Sequence, residues 1–261
     1  MKISIIGGGN MGGAIARGLS TGSFFKAEDI TVINKTTTKL EELKQFNPAI
    51  NAVAGDYSSV QDADIVIIGV KPWLIEEVLK EHQDKLKNPK QLLVSVASGI
   101  GLAQLAEWSA SGKPIFRVVP NTAIAVGESA TYISALNTSE EQNSLILNIF
   151  KELGKAELIE EKLMSAAVSL TSCGIAFAFR YIRAAMEGGV EMGLYPNQAK
   201  EAVMQTLLGA VKLLEASGLH PEAEIDKVTT AGGITIKGLN EMEHAGFTSA
   251  VIKGLKASNV N

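Results

Sequence analysis

The chain has 261 residues, 46% of them hydrophobic and 20% charged, enough apolar material for a full core and enough length for two domains of ordinary size. Its formal net charge is −4 and no run of five basic residues occurs, which argues against nucleic acid or an anionic membrane as main partner and leaves a small molecule. Cys173 is the single cysteine, so no internal disulfide forms, and His82, His220 and His244 are scattered without partners at i, i+4, so no metal site is expected.

Met1 leads into Ile3-Ser4-Ile5-Ile6-Gly7, an apolar run too short and too glycine-bounded for a signal peptide or a membrane span, and a cytoplasmic protein is expected. Up to about residue 159, short β-type runs alternate with helical stretches, the mark of stacked βαβ units and a mostly parallel sheet. The strands are expected at 3–7, 30–34, 51–54, 65–70, 92–96 and 115–119, with weaker ones at 130–134 and 156–159. Several are continuous apolar runs, as strands covered on both faces are.

The first strand runs into Gly7-Gly8-Gly9-Asn10-Met11-Gly12-Gly13-Ala14, which holds G-x-G-x-x-G at Gly7, Gly9 and Gly12 and continues as a helix. In that setting Gly7 permits the tight turn, Gly9 lets the backbone approach a pyrophosphate, and Gly12 lets helix and strand pack closely. The helix N-terminus then supplies N–H groups and positive dipole. Alone the spacing is weak evidence; between a first strand and a helix it points to a dinucleotide. The second strand ends at Asn34-Lys35-Thr36, where an NAD-preferring site would carry an acid for the ribose hydroxyls. Asn34 can hydrogen-bond, Lys35 can pair with a 2'-phosphate and the hydroxyls add donors, so NADPH is expected, with NADH possible and weaker; the alternative is that Lys35 is a solvated loop lysine. Val70-Lys71-Pro72 and Ala97-Ser98-Gly99 stand at strand C-terminal ends on the same crevice and are expected to line the cofactor, although Lys71 also reads as an exposed turn residue.

After about Glu160 the strand pattern stops and Ala, Leu, Met and Gly recur at helical spacing. Between Leu163 and Met192, the small residues Ala167, Gly174, Ala178, Ala185 and Gly189 allow close helix approach, either within the chain or in a helical homo-oligomer. The fold class is therefore α/β with a Rossmann-type doubly wound N-terminal sheet over residues 1–160, followed by an all-α C-terminal domain over residues 161–261.

Several segments then resemble the pyrroline-5-carboxylate reductase family over essentially the whole chain. Gly69-Val70-Lys71-Pro72 is similar to the family's Ala-Val-Lys-Pro. Arg117-Val118-Val119-Pro120-Asn121-Thr122-Ala123 with Gly127-Glu128 is similar to its Arg-Val-Met-Pro-Asn-Thr-Pro and Gly-Glu segment. The most specific is Val228-Thr229-Thr230-Ala231-Gly232-Gly233-Ile234-Thr235-Ile236-Lys237-Gly238-Leu239, similar to Val-Thr-Ser-Pro-Gly-Gly-Thr-Thr-Ile-x-Gly-Leu. Physically, two glycines and a threonine opening a helix form either a nest of N–H groups for a carboxylate or a plain cap.

The resemblance implies reduction of L-1-pyrroline-5-carboxylate to L-proline by hydride from NADPH, the last step of proline synthesis. It implies that the backbone of Gly232, Gly233 and Ile234 and the Thr235 hydroxyl hold the imino acid's carboxylate and ring nitrogen, with Thr235 as the catalytic hydrogen-bond donor and Asn121 and Glu161 beside the substrate. Asp56 takes a place near the adenosine where the family often has asparagine. Helical domains are implied to pair into dimers that share residues across the active site. Glu161 also reads as an acid favoured at a helix start, and Cys173 as a small hydrophobe. Departures at Ala231, Ile234, Asp56, Gly218 and Thr171 to Phe177 leave pocket shape open. Two rivals remain: a reductase of another cyclic imine, and a non-catalytic NADPH-binding sensor. A β-hydroxyacid dehydrogenase is disfavoured, because the helix from Met164 to Met192 lacks the lysine such enzymes use as base.

Overall fold

A computed structural model describes residues 1–259. They form two compact units, divided between Ser172 and Cys173.

The first unit is built on strands β1 (Ile3–Ile6), β2 (Ile30–Asn34), β3 (Asn51–Ala54), β4 (Ile65–Ile68), β5 (Leu92–Ser95), β6 (Ile115–Val119), β7 (Ser129–Leu136) and β8 (Gly154–Leu158). They make one sheet in the order β3-β2-β1-β4-β5-β6-β7-β8, so the chain reverses direction of growth between β1 and β4. Neighbours pair in parallel except β6 with β7. Its helices are α1 (Asn10–Leu19), α2 (Thr38–Phe46), α3 (Ile75–Glu81), α4 (Leu102–Trp108), α5 (Glu140–Lys151) and α6 (Met164–Val168).

The apolar runs bury both faces because side chains alternate along a strand. Ile5, Ile67 and Val94 join a cluster with Ile15 and Leu19 of α1 and Ile149 and Phe150 of α5. Their neighbours Ile6, Ile68 and Leu93 join the opposite cluster with Ile75 and Leu79 of α3 and Leu102 and Leu105 of α4. Each such side chain removed from water contributes about 1.5–3 kcal/mol. At the end of the sheet where β5 and β6 begin, Lys113 is buried and donates from Nζ to Leu86 O (2.7 Å), Asn88 O (3.0 Å) and Gln91 Oε1 (2.8 Å).

Four strand ends fall short of the expected ones. β1 stops at Ile6 rather than Gly7 and β4 at Ile68 rather than Val70, where Gly7 crosses Gly69; β5 stops at Ser95 rather than Val96 and β8 at Leu158 rather than Ile159. A Cβ on Gly7 would stand 2.7 Å from Gly69 C, and Gly7 has φ +106°, so the crossing admits only glycine there. β7 is longer than expected at both ends, because Ser129 pairs with Gly154, where β8 begins early, and Ala135 and Leu136 pair with Phe116 and Ile115.

Helix α6 packs on β7, which ties it to the first unit. It continues through a π turn at Ser169–Cys173, where Ser169 Oγ and Thr171 Oγ1 donate to the carbonyls of Ser165 (3.0 Å) and Ala167 (2.8 Å). The second unit is wholly helical: α7 (Gly174–Glu191), α8 (Pro196–Ser217), α9 (Pro221–Val228), α10 (Ile234–His244) and α11 (Phe247–Ser258). Its tightest seam is α7 on α8, where a Cβ on Gly189 would come within 3.1 Å of the Ala199 Cβ. Among the described residues of this unit, only Gly189 and Ala199 are buried.

Candidate functional site: a dinucleotide crevice and a helix-start nest

In the first unit, the carboxyl ends of β1, β2, β4 and β5 open into a cavity of about 570 Å³. This is the crevice in which doubly wound sheets take their ligands, at the point where strand order reverses. Gly7, Gly9, Asn10 and Met11 line it from the β1–α1 turn, and Asn34 and Lys35 from the end of β2. Val70, Lys71 and Pro72 line it after β4, Ala97 and Ser98 after β5.

The glycines divide the labour by geometry. Gly9 is the N-cap of α1 and has an extended backbone, and a Cβ there would meet nothing within 4 Å, so the space beside it is open. A Cβ on Gly12 would stand 2.0 Å from Gly7 O and 3.3 Å from the Ile5 side chain, so Gly12 serves the packing of α1 on β1 and does not line the cavity. Gly8 also stays out of the lining: its Cβ would point at Val32, 3.1 Å away. The first-turn N–H groups of α1 lack helical acceptors and face the opening, an arrangement that suits a pyrophosphate.

At the rim, Asn34 Nδ2 donates to Thr36 O (3.1 Å) and Thr36 Oγ1 (3.2 Å), so Thr36 shapes the turn and does not line the cavity. Lys35 Nζ sits 3.8 Å from Glu77 Oε1, with both side chains well exposed, a pair weak enough for a phosphate to displace. Asp56 also stands outside the lining. Its Oδ1 accepts the Ser58 N–H (2.9 Å), which holds its carboxyl below the usual range and makes it a turn former. Glycine, lysine and amide thus fit a phosphorylated dinucleotide, and among the described residues no Asp or Glu lines the cavity.

Tyr57, Leu74 and Val78 complete the wall, and the motif reading did not include them. The available signal was positional: Tyr57 is an aromatic residue in the loop at the carboxyl end of the strand flanking β2, and Leu74 and Val78 lie i, i+4 just past Lys71-Pro72.

Asn121 is nearly buried at the end of β6. Its Oδ1 caps the turn Thr122–Val126 by accepting the Ala123 N–H (3.0 Å), and its own N–H donates to Ser129 Oγ (3.1 Å). Ser172 Oγ donates to Pro120 O (3.2 Å), which pins the same loop to the π turn. Glu161 is the acid in the first turn of the 3-10 segment Glu161–Leu163 that leads into α6, and it also serves the start of α4: its Oε1 accepts the Leu102 N–H (2.7 Å) and pairs with Arg117 Nη1 (3.2 Å).

In the second unit, Gly232 has φ +69° and turns the chain into α10, with Gly233 as an extended N-cap. The Gly233 N–H donates to Thr230 O (2.9 Å), and a Cβ at Gly233 would crowd Thr230 Oγ1 at 2.6 Å. The Gly233 amide therefore closes the turn, and the first-turn N–H groups of Ile234 and Thr235 lack helical acceptors. Both side chains are exposed, Ile234 by 87%.

Two family profiles match the chain. One described as pyrroline-5-carboxylate reductase dimerisation covers residues 161–260, and one described as NADP oxidoreductase coenzyme F420-dependent covers residues 2–99. The pyrroline-5-carboxylate reductase of Arabidopsis thaliana is 34% identical over 98% of this chain and 92% of its own length. That of Escherichia coli (strain K12) is 35% identical over 97% of this chain and 94% of its own length. A longer relative from Dictyostelium discoideum, 34% identical over 98% of this chain, is spanned over 48% of its length. Among solved structures, a Plasmodium falciparum pyrroline carboxylate reductase with NADP bound superposes with a TM-score of 0.89 at 27% identity, over 99% of this chain and 95% of that one. Prephenate dehydrogenase from A. aeolicus shares the fold alone, with a TM-score of 0.55 at 15% identity. With 97–98% of the chain matched at 34–35% identity, and with the glycine crevice and the Gly-Gly helix start both in place, the chain belongs to the pyrroline-5-carboxylate reductase family.

Proposed function

We infer that the protein reduces L-1-pyrroline-5-carboxylate to L-proline, with NADPH as hydride donor. The observation that carries the cofactor is the β2 end: Asn34 and Lys35 stand on the cavity where an NAD site would present a carboxylate. NADPH, when bound, supplies the hydride that adds to the carbon of the substrate's C=N bond. Gly9 and the start of α1 hold its pyrophosphate, Lys35 leaves Glu77 to meet its 2'-phosphate, and Val70, Lys71, Pro72 and Ala97 wall the other half of the crevice. The Ile234 and Thr235 amides hold the substrate carboxylate, and the Thr235 hydroxyl donates a hydrogen bond to the lone pair of the neutral ring nitrogen, polarising the C=N bond for the hydride as the nitrogen takes up its proton. Glu161 and Asn121 act on the site through the loops they hold, α4 and the Pro120–Asn121 turn, rather than by touching the substrate. Steady-state oxidation of NADPH and of NADH with pyrroline-5-carboxylate tests the reading. Turnover with a lower KM for NADPH supports it, and NADPH binding without turnover on this imino acid favours another cyclic imine or a sensor.

Residues 161–261 serve, in this reading, as the substrate-binding and dimerisation half. The support is the near absence of buried side chains among the described residues from Cys173 onward, with Phe179, Met192, Tyr195 and Leu213 between 61% and 82% exposed. An apolar surface of this extent marks an association site. The stretch Glu161–Glu191 is long and apolar enough to cross a membrane by length and composition. Its match to a dimerisation profile and its small-residue spacing favour a protein partner, in a cytoplasmic homodimer. Sedimentation at micromolar protein concentration checks this, and a monomeric mass overturns it.

A further inference from the structure

The cofactor cavity has one wall that the glycine loop does not account for. Tyr57 leaves β3 in the turn before Ser58–Val60, and its ring is stacked on His82, with centroids 3.7 Å apart and planes 28° apart. His82 caps the C-terminus of α3 and is only 8% exposed, so Tyr57 rests against a fixed, buried ring. The half-buried tyrosine packs on the apolar cluster under α3 and borders the cavity beside Leu74 and Val78.

The position along the sheet says which part of the ligand meets this wall. A dinucleotide lies across the switch point with one nucleotide on each half of the sheet, and the residue closing β2 faces the ribose of the adenosine half. Tyr57 follows β3, the strand on the far side of β2 from β1, so it lies on the adenosine half beyond Asn34 and Lys35. A flat apolar surface there meets a purine. Because the stack on His82 already restricts the tyrosine, little side-chain freedom is lost when a base settles against it.

We propose that Tyr57 is the adenine contact of the cofactor site and that His82 is its positioning residue, the pair setting affinity for NADPH without taking part in hydride transfer. This rests on the assignment of the cavity to NADPH.

The test separates the two halves of the cofactor. Binding of NADPH and of adenosine 2',5'-bisphosphate is measured by calorimetry, and turnover is measured with NADPH and with reduced nicotinamide mononucleotide, which lacks the adenosine. Tyr57→Ala is expected to weaken binding of both adenosine ligands roughly tenfold, the scale of one base–aromatic stack. It leaves kcat with NADPH and turnover of the mononucleotide within about twofold of the parent. Tyr57→Phe keeps the affinity; His82→Ala loses part of it and His82→Phe restores it. Unchanged affinity for adenosine 2',5'-bisphosphate in Tyr57→Ala, or a parallel fall in mononucleotide turnover, overturns the proposal. If the alanine variant does not fold, Tyr57→Leu keeps the apolar volume, lacks the ring and carries the same test. Since binding is read without substrate, a failure to reduce pyrroline-5-carboxylate defeats the reductase reading and leaves this one standing.

Discussion

Glu161 and Arg117, 44 residues apart in sequence, form an ion pair of 3.2 Å between Oε1 and Nη1, and the same carboxylate oxygen caps α4 at Leu102. The guanidinium is mostly enclosed, and its Nε is buried with no hydrogen-bond partner, so Glu161 is its main compensation. The Leu102 amide opens α4 just after the Ala97–Ser98 loop that lines the cavity. Glu161→Ala therefore leaves an enclosed cation and an open helix end, and is expected to lower the unfolding free energy by about 1.5–3 kcal/mol. Glu161→Gln keeps an acceptor for Leu102 and loses less, about 1 kcal/mol. Urea denaturation of both variants checks the order, and equal losses would remove the charge from the explanation.

Gly9 and Gly12 belong to one motif but fail differently. Gly12→Ala forces a methyl to within 2.0 Å of Gly7 O, a clash with backbone that cannot be relieved by a rotamer, so both folding and NADPH binding suffer. Gly9→Ala finds open space and folds as the parent does, while its methyl stands where the phosphates approach. Its KM for NADPH is expected to rise about tenfold at near-parent thermal stability. Melting temperatures set beside NADPH titrations distinguish the two.

The burial of His82 gives stability a pH dependence. Burial is the main cause that lowers its pKa from 6.5, Lys85 lowers it further, and Glu81 and Asp84 oppose them. The unfolded chain then binds the proton more readily, so the His82 contribution is complete above about pH 6.5 and is lost as the pH falls below that value. His82→Phe keeps a ring under Tyr57 and removes the titration, so stability falls less between about pH 7 and pH 5 than in the parent. Identical urea midpoints against pH in both proteins would show that His82 is not responsible.

Lys113 is a buried donor with three acceptors and no place in the site. Lys113→Met keeps much of its volume but strands Leu86 O, Asn88 O and Gln91 Oε1, and is expected to cost about 3 kcal/mol. The kcat of the folded fraction should stay at the parent value, because Lys113 lies at the opposite end of the strands from the crevice. A specific loss of kcat without a loss of stability would contradict this placement.

Thr235→Ala and Thr235→Ser address the substrate nest. The alanine variant is expected to lose about ten- to hundredfold in kcat/KM for the imino acid, the scale of a hydrogen bond lost with its acceptor left unpaired, while its KM for NADPH holds. Serine retains the hydroxyl and recovers most of the loss. Equal kinetics in both variants would place the hydroxyl outside the chemistry.

The sequence by itself determined whatever depends on neighbours along the chain. Ile3 to Ile6 and Ile65 to Ile68 form strands buried on both faces because each is a continuous apolar run, and the turn into α1 follows from the spacing of Gly7, Gly9 and Gly12. Asn34-Lys35 in place of an acid names the cofactor class, and the Gly-Gly-x-Thr segment marks a helix start. What only the tertiary structure decided is pairwise and distant. Glu161 serves Leu102 and Arg117, Ser172 meets Pro120, and Tyr57 meets His82 on the cavity wall. Each of these contacts is made when the sheet and helices bring separate segments within hydrogen-bond or van der Waals range. Sequence periodicity carries the direction of a side chain along its own element but not the identity of what that side chain will touch.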